Sequence, residues 1–431
     1  MVANAADRLW HTGEYNVSRF PGYPLHEIIS APFVALGGPV LSNGVTLLAS
    51  IVLLLVWFRI AARHFHHAEL LLLTLAFTPL FWIQSAATTD YVWSLLFLAL
   101  SLDSALQNRV ILCGLWLGLA AGFRLSNLVA SVPLAAFLFY KERSPGRILS
   151  FLAPAFIVML LAYSPLLITY GPIGWIHLTR NEMSDIHFTW TERVLFFGYR
   201  SIYALGPLAV LSCFAILLTH LQELKRRWKE REPVLVTSCV GGAMFLLLFF
   251  VLPLERAYLL PALLFLLMAV ATVATRTQLI VFALCIASFG LLNPDIIKHQ
   301  GMRGTAELNV HWGVVVEELQ RRDQLMKDRV RIANIRVAGK TMIMTGGGAA
   351  FWFQNEHVEH DTSWQWRELK ERVVRKRSDP DIHFVALLTR AELERIRWLG
   401  YTVYCLGSAR EFIEKTTGVS MAQEQVIVLQ H

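Results

Sequence analysis

Residues 234–252 read VLVTSCVGGAMFLLLFFVL, nineteen residues without a charge. At about 1.5 Å per helical residue, that length matches the ~30 Å hydrocarbon core of a bilayer. A polar corner follows at once, Pro253-Leu254-Glu255-Arg256-Ala257-Tyr258-Leu259-Leu260-Pro261, and it opens a second apolar run, 257–275. Further runs of the same kind lie at 41–63, 68–87, 148–168, 194–219 and 277–293. The stretch 91–140 is long enough for three more, interrupted at Gln107-Asn108-Arg109 and at Gly122-Phe123-Arg124. The pattern predicts a polytopic α-helical membrane protein with about ten transmembrane helices. The pieces 110–124 and 126–140 read as half-helices meeting at Arg124, since a lone arginine at such a break turns to water or to protein.

Composition supports this division of the chain. Of its 431 residues 55% are hydrophobic and 16% charged, with a mean hydropathy of +0.48, whereas a soluble domain carries about 25% charge. From Asp295 onward stand 38 of the 71 charged residues, in less than a third of the length. The expected domains are a multi-span membrane domain, 1–293, with an outer first loop, 1–40, and a small soluble α/β domain, 294–431. The net charge of +7 is mostly carried by the membrane part, which argues for topology and against a nucleic-acid partner. Cys113, Cys213, Cys239 and Cys285 fall in apolar runs and Cys405 stands alone in the tail. No disulfide pair within the tail and no zinc spacing follows.

Short loops rich in Lys and Arg face the cytoplasm. One alternate set holds Arg59, Arg63, Arg109, Lys141, Arg143, Arg147, Lys225, Arg226, Arg227, Lys229, Arg231 and Arg276; the other holds Arg8, Arg19, Arg124, Arg180, Arg193, Arg200 and Arg256. The first set is the larger, so the loops 1–40 and 169–193, the 253–256 corner and the tail are expected on the outer or lumenal side. The segment 1–40 then lies outside with neither a signal peptide nor a preceding span. An upstream span before Met1 is the favoured expectation, and insertion without one the alternative.

All seven outer basic residues are arginine, whose planar fork binds phosphate oxygens in pairs; snorkelling to headgroups is the other reading of each. Glu14 and Arg19 flank the first loop, which runs on to Pro21-Gly22-Tyr23-Pro24-Leu25, a rigid turn leading into a short interfacial helix from His26 to Leu36. That loop offers an acid/base and phosphate pair, or a plain membrane-entry turn. Thr88-Thr89-Asp90-Tyr91 sits between spans, where Asp90 is either functional or a helix N-cap. Gly118 to Asn127 supplies small residues for close packing and ends at Arg124. The longest outer loop carries His177 and Arg180, whose polar groups suit a sugar or a phosphate.

Taken in order, Pro-Gly-Tyr-Pro-Leu in an outer loop with an acid, Thr-Asp-Tyr between spans, Gly-Phe-Arg-Leu-Ser, then Glu-Arg-Ala-Tyr-Leu-Leu-Pro resemble the GT-C superfamily of integral-membrane glycosyltransferases. The likeness covers roughly residues 7–275 and points to the protein O-mannosyltransferase and lipid A aminoarabinose transferase branch. It implies a GT-C-like fold and transfer of a monosaccharide from a polyprenyl-phosphate donor to an acceptor hydroxyl on protein, lipid or glycan, at the outer face of a bacterial inner membrane or its equivalent. A first-loop carboxylate is the general base in that family. Here it would be Glu14, Asp7 or a residue upstream of Met1, because the family's preceding span is lacking. The leaving phosphate needs cations as charge develops, a role for Arg19, Arg124 and Arg256. Asp90 would orient the base or acceptor, or hold a divalent cation as in some relatives, although no ligand cluster makes a metal obligatory. Tyr23, His177, Arg180, Glu255 and Tyr258 complete the expected substrate contacts. The rival reading is a transporter or flippase of polyprenyl-linked or other anionic lipids, and a third is a non-catalytic assembly subunit.

In the tail, strands are expected at Thr341–Thr345, His383–Leu388, Tyr401–Leu406 and Gln425–Leu429. Helices are expected at Val314–Lys327, Ala391–Leu399 and Ala409–Thr416. Gly346-Gly347-Gly348 reads as a turn more than a phosphate cradle, lacking the P-loop lysine. The segment Glu223–Glu232 alternates charge and reads as a solvated helix.

Overall fold

The computed structural model describes residues 5–6, 9–10, 13, 15–184, 188–253, 255–298, 306–320, 322–323, 334–345, 358–361, 363–366, 373–385, 387–406, 410, 413–414, 418 and 420–427. The chain divides into two compact units, Val2–Glu318 and Leu319–His431. The division falls later than the composition shift at 294, because the antiparallel hairpin of β1 (Leu292–Lys298) and β2 (Ala306–Trp312) belongs to the first unit.

The first unit is helical. Its elements are α1 (Pro24–His64), α2 (Ala68–Ala76), α3 (Pro79–Ser85), α4 (Asp90–Leu106), α5 (Val110–Phe123), α6 (Ser131–Glu142), α7 (Pro145–Ser184), α8 (Trp190–Leu205), α9 (Pro207–Thr219), α10 (Leu221–Lys229), α11 (Pro233–Val251), α12 (Leu260–Ala271) and α13 (Arg276–Leu291). Among the described residues three helices are long and apolar enough to cross a membrane: Val40–His64, Pro145–Asn181 and Pro233–Val251. Two bent pairs raise the number to five, α2 with α3 at 65° and α8 with α9 at 93°. Four shorter apolar helices of 10–17 residues account for most of the remaining runs. The count of about ten therefore exceeds what helix length alone supports among the described residues. The physical reason is interruption: breaks before Pro79, at Gly206 and at Arg124 each divide an apolar stretch into helices shorter than a span.

The expected interfacial helix from His26 to Leu36 forms the start of α1, which continues past Gly38, whose left-handed backbone (φ 53°) marks a kink. At the other predicted break, Arg124 adopts an extended conformation between α5 and a 3₁₀ turn, Leu125–Ala130, that leads into α6. Glycines let α5 press against α7. A Cβ at Gly114 would collide with the Phe151 carbonyl oxygen, and one at Gly118 would lie 2.6 Å from that of Ala155. Such small-residue contacts matter because a lipid environment supplies little hydrophobic drive between helices, and packing must hold them together. Trp57, Leu53, Phe151 and Phe265 are fully buried in the core, and the Trp57 indole N–H donates to the Leu71 carbonyl at 3.1 Å.

The second unit carries a six-stranded sheet in the order β4-β5-β6-β3-β7-β8. Its strands are β3 (Thr341–Met344), β4 (Val358–His360), β5 (Val374–Lys376), β6 (Asp379–Val385), β7 (Thr402–Leu406) and β8 (Val426–Ile427), with α14 (Arg390–Trp398) between β6 and β7. The neighbours β6, β3, β7 and β8 run parallel, while β5 and β4 add an antiparallel edge. A Thr389/Glu392 capping box starts α14. The parallel strands match the apolar stretches read from sequence. The two antiparallel strands, Val-Glu-His at the edge and Val-Arg-Lys next to it, escaped that reading because such short, charged stretches carry too little apolar pattern. Residues 346–348 and most of 409–416 lie outside the described residues.

Candidate functional site

The first loop is held down by the middle and C-terminal part of α7. Its Trp175 indole donates to the Pro21 carbonyl at 2.8 Å, and the Tyr163 hydroxyl donates to that of Gly22 at 3.2 Å. The Tyr170 hydroxyl donates to the Asn16 side chain at 3.2 Å, while the Tyr170 ring meets Phe20 edge-on. The Phe20–Pro21 peptide is cis, and Gly22 takes φ +97° with Leu166 directly beside it. Held by these bonds from α7, the loop brings two side chains inward.

Glu27 is the first. It is fully buried and accepts from the Tyr15 hydroxyl at 2.6 Å and from the Ser18 backbone N–H at 2.8 Å. Burial raises its pKa from the ordinary carboxylate value, and the bonds from Ser18 and Tyr15 oppose that rise. Its neighbour His26 is also fully buried, and burial pushes its imidazole down to about 4, with Asp90 opposing and Arg124 and Arg19 reinforcing. His26 is therefore neutral at neutral pH.

Arg19 is the second. Its guanidinium pairs with Glu255, stands 3.8 Å from Asp90 Oδ1 and lies 4.9 Å above the Tyr23 ring. Asp90 is the first residue of α4 and is 1% exposed; its other oxygen accepts from Arg124. The N-cap of α4 is Thr89, without a side-chain cap bond, so capping does not account for Asp90. Arg124 is 4% exposed, with Tyr91, Tyr258 and Tyr23 around its guanidinium at 3.9, 4.6 and 5.1 Å. The Tyr91 hydroxyl donates to Glu255, closing a circuit of two arginines, two acids and tyrosine rings. Four segments far apart in the sequence converge here: the loop at 19–23, Asp90-Tyr91, Arg124, and Glu255 with Tyr258.

Exposure divides this circuit. Asp90 and Arg124 are sealed, and a void of about 10 Å³ beside Arg124, lined by Ser94, Ser126 and Tyr258, has room for about one water and none for a phosphate. Arg19 and Glu255 form the open edge, with side chains 26% and 42% exposed. Arg124 accordingly acts on Asp90, and the groups able to meet a ligand are Arg19 and Glu255. Both Asp90 oxygens are taken by arginines, which does not suit a metal ligand. Among the described residues no group of three His, Cys, Asp or Glu could hold a metal ion.

The other expected site residues fall elsewhere. The Arg256 guanidinium lies 4.2 Å over the Tyr203 ring of α8, on the flank of the circuit where Arg200 donates to the Pro253 carbonyl. His177 and Arg180 lie on the last turns of α7. Asp7 and Glu14 lie outside the described residues. The sequence marks Glu27 only as one of several outer acids and Trp175 only as an interfacial aromatic, and it gives Tyr15 and Tyr163 no role. Tyr163 and Trp175 are far along the chain and reach the loop only through the fold of α7, and no local spacing ties them to it. Comparison with protein-family models, with curated proteins and with solved structures finds no match for this chain.

Proposed function

We propose that the chain is a membrane glycosyltransferase of GT-C-like, about ten-span architecture that moves a monosaccharide from a polyprenyl-phosphate donor to an acceptor hydroxyl at its outer or lumenal face. The observation carrying this reading is the convergence of Arg19, Asp90, Arg124 and Glu255, with Arg19 and Glu255 at the open edge. In the reaction the acceptor oxygen bonds to the anomeric carbon, and the bond from that carbon to the phosphate oxygen breaks. The electron pair leaves with the polyprenyl phosphate, and the acceptor proton passes to a carboxylate. Glu255 is the carboxylate of the circuit with access to solvent and takes that proton in this proposal, Glu14 and Asp7 being the alternatives. Arg19 meets the phosphate as its charge grows, held in place by Asp90 and the Tyr23 ring. A preorganised cation at a developing charge is the usual source of the largest catalytic term.

A second reading has one specific observation in its favour. The bent pairs α2/α3 and α8/α9 are discontinuous helices of the sort that line transporter pathways, which would suit a flippase of anionic lipid.

One experiment separates the two: incubating membranes that contain the protein with radiolabelled polyprenyl-phosphate monosaccharides and following the label into acceptor. Transfer that disappears in Glu255→Gln or Glu14→Ala, with the protein still folded, supports the enzyme and names its base. Label that crosses the bilayer while remaining on the polyprenyl phosphate overturns it in favour of the transporter.

A further inference from the structure

The first unit contains a cavity of about 680 Å³ between α8, α9, α11 and α12, apolar along its length. From Leu235 to Leu246 its α11 wall is about 16 Å long at ~1.5 Å per residue, the scale of half a bilayer and of one hydrocarbon chain. At one end the lining changes character, where α10 contributes Lys225, Trp228 and Lys229.

Charge on α10 is partitioned. Arg226 is paired with Glu223 and Glu230, and Arg227 with Glu223 and Glu232, all between 2.7 and 3.2 Å. Lys225 and Lys229, the two cations on the cavity side, have no carboxylate partner among the described residues. The helix thus neutralises the arginines and leaves two ammonium groups at the mouth of an apolar channel. Trp228 stands between them, and its other flank lines a second cavity of about 300 Å³ with Phe137, Tyr140 and Arg231. An indole at such a boundary has an apolar body and a polar edge, the arrangement favoured at a membrane interface.

We propose that this is a binding site for an acidic phospholipid of the leaflet at the α10 end. One chain fills the larger cavity, the second lies on the Tyr140 flank of Trp228, and the headgroup phosphate meets Lys225 and Lys229. The cavity's apolar walls select for a lipid chain, and the unneutralised lysines select for anionic over zwitterionic headgroups. A free phosphate lacks the first recognition element and phosphatidylcholine the second. The site is separate from the Arg19–Glu255 edge and does not depend on the sugar-transfer reading.

The test uses the full chain in phosphatidylcholine nanodiscs titrated with brominated phosphatidylglycerol, reading tryptophan quenching against Trp228→Phe. The expected result is a saturable quench that Trp228→Phe removes. Lys225→Gln/Lys229→Gln should weaken it about 30-fold, the order for two lysines near an anionic surface. Ala243→Phe, at an exposed cavity-lining position, should weaken it with both lysines intact, which guards against a result due only to general surface charge. Retained preference for the acidic lipid in the double lysine variant overturns the proposal, as does equal quenching by brominated phosphatidylcholine. Displacement of the acidic lipid by equimolar polyprenyl phosphate also overturns it, by assigning the cavity to the donor's tail; loss of sugar transfer alone leaves it standing.

Discussion

Asp90 in the helical unit and Asp361 in the tail both have buried side chains, and the two are treated differently. In the helical unit Asp90 is answered by two permanent cations, Arg19 and Arg124, and the network runs on through Tyr91 to an exposed Glu255. In the tail Asp361 is answered by neutral or titratable donors. Its oxygens accept from the Ser363 backbone and hydroxyl, from the Trp366 indole at 2.9 Å and from His383 Nε2 at 2.9 Å, and Tyr401 packs edge-on against both Trp366 and His383. The tail cluster is a closed knot that ties β6 to the turn after β4, whereas the membrane cluster has an open edge. Burying permanent charge is costly and is repaid only by close pairing, so where a fold carries that cost and leaves one end open, the open end is where chemistry is to be sought.

The largest effect should come from breaking the sealed pair. Arg124→Met leaves Asp90 with Arg19 alone at 3.8 Å and should cost about 3–5 kcal/mol, the usual range for an uncompensated buried charge. Thermal unfolding in detergent reads it. Asp90→Asn/Arg124→Met should recover much of the loss, and a double variant no better than the single one would mean that Arg124 stabilises through the tyrosine rings and not through Asp90.

The tail cluster should respond to acid. Although burial acts to raise its pKa, the hydrogen bonds from Ser363, Trp366 and His383 outweigh it and hold Asp361 at about 2. The group is depressed relative to its unfolded value, so its contribution is complete above about pH 4 and is lost as pH falls from there through about 2. The full swing is about 2 kcal/mol. Asp361→Asn should flatten acid unfolding of the tail over that window, followed by near-ultraviolet dichroism from Trp366. An unchanged acid limb would show that Asp361 is paired equally well in the unfolded chain.

Glu255→Gln and Arg19→Gln sharpen the comparison from the other side. Both side chains are partly exposed, so each should cost at most about 1 kcal/mol of stability, yet sugar transfer should fall by at least about a hundredfold as base or phosphate cation is lost. A stability loss as large as that of Arg124→Met would make the open edge a structural pair like its neighbours.

These contrasts bear on what the sequence could disclose. Apolar run length made the helical unit legible, and the order of Gly-Tyr-Pro, Asp-Tyr, Gly-Phe-Arg and Glu-Arg-Ala-Tyr named most of the circuit, since polar residues at breaks between apolar runs have few reasons to be there. Sequence did not reveal which arginine is sealed and which is open. Arg19, Arg124 and Arg256 look alike in one dimension, but burial separates them and turns Arg256 to Tyr203. Glu27 was legible as an outer acid, but its burial depends on Tyr15 and Ser18 closing over it. That closure requires the loop that Tyr163, Tyr170 and Trp175 hold from a distant part of the chain. The span count is less legible for a related reason: hydropathy registers apolar length and does not register the bend at Gly206, and helix length supports three to five spans among the described residues.

His177 and Arg180 offer the smallest effect and a clean one. Both lie on the last turns of α7, beyond the turn that carries Trp175 to the Pro21 carbonyl. Replacing either with alanine should shift stability by no more than about 0.5 kcal/mol, as for surface positions generally. Their effect on transfer then depends on geometry alone. Trp175 bonds Pro21, close in sequence to Arg19, and His177 and Arg180 follow Trp175 on the same helix. If the acceptor approaches over α7, His177→Ala should raise the acceptor KM several-fold and leave donor hydrolysis in its absence unchanged. If both parameters stay at wild-type values, the acceptor enters from the Arg200–Arg256 flank, and Tyr203 becomes the next position to vary.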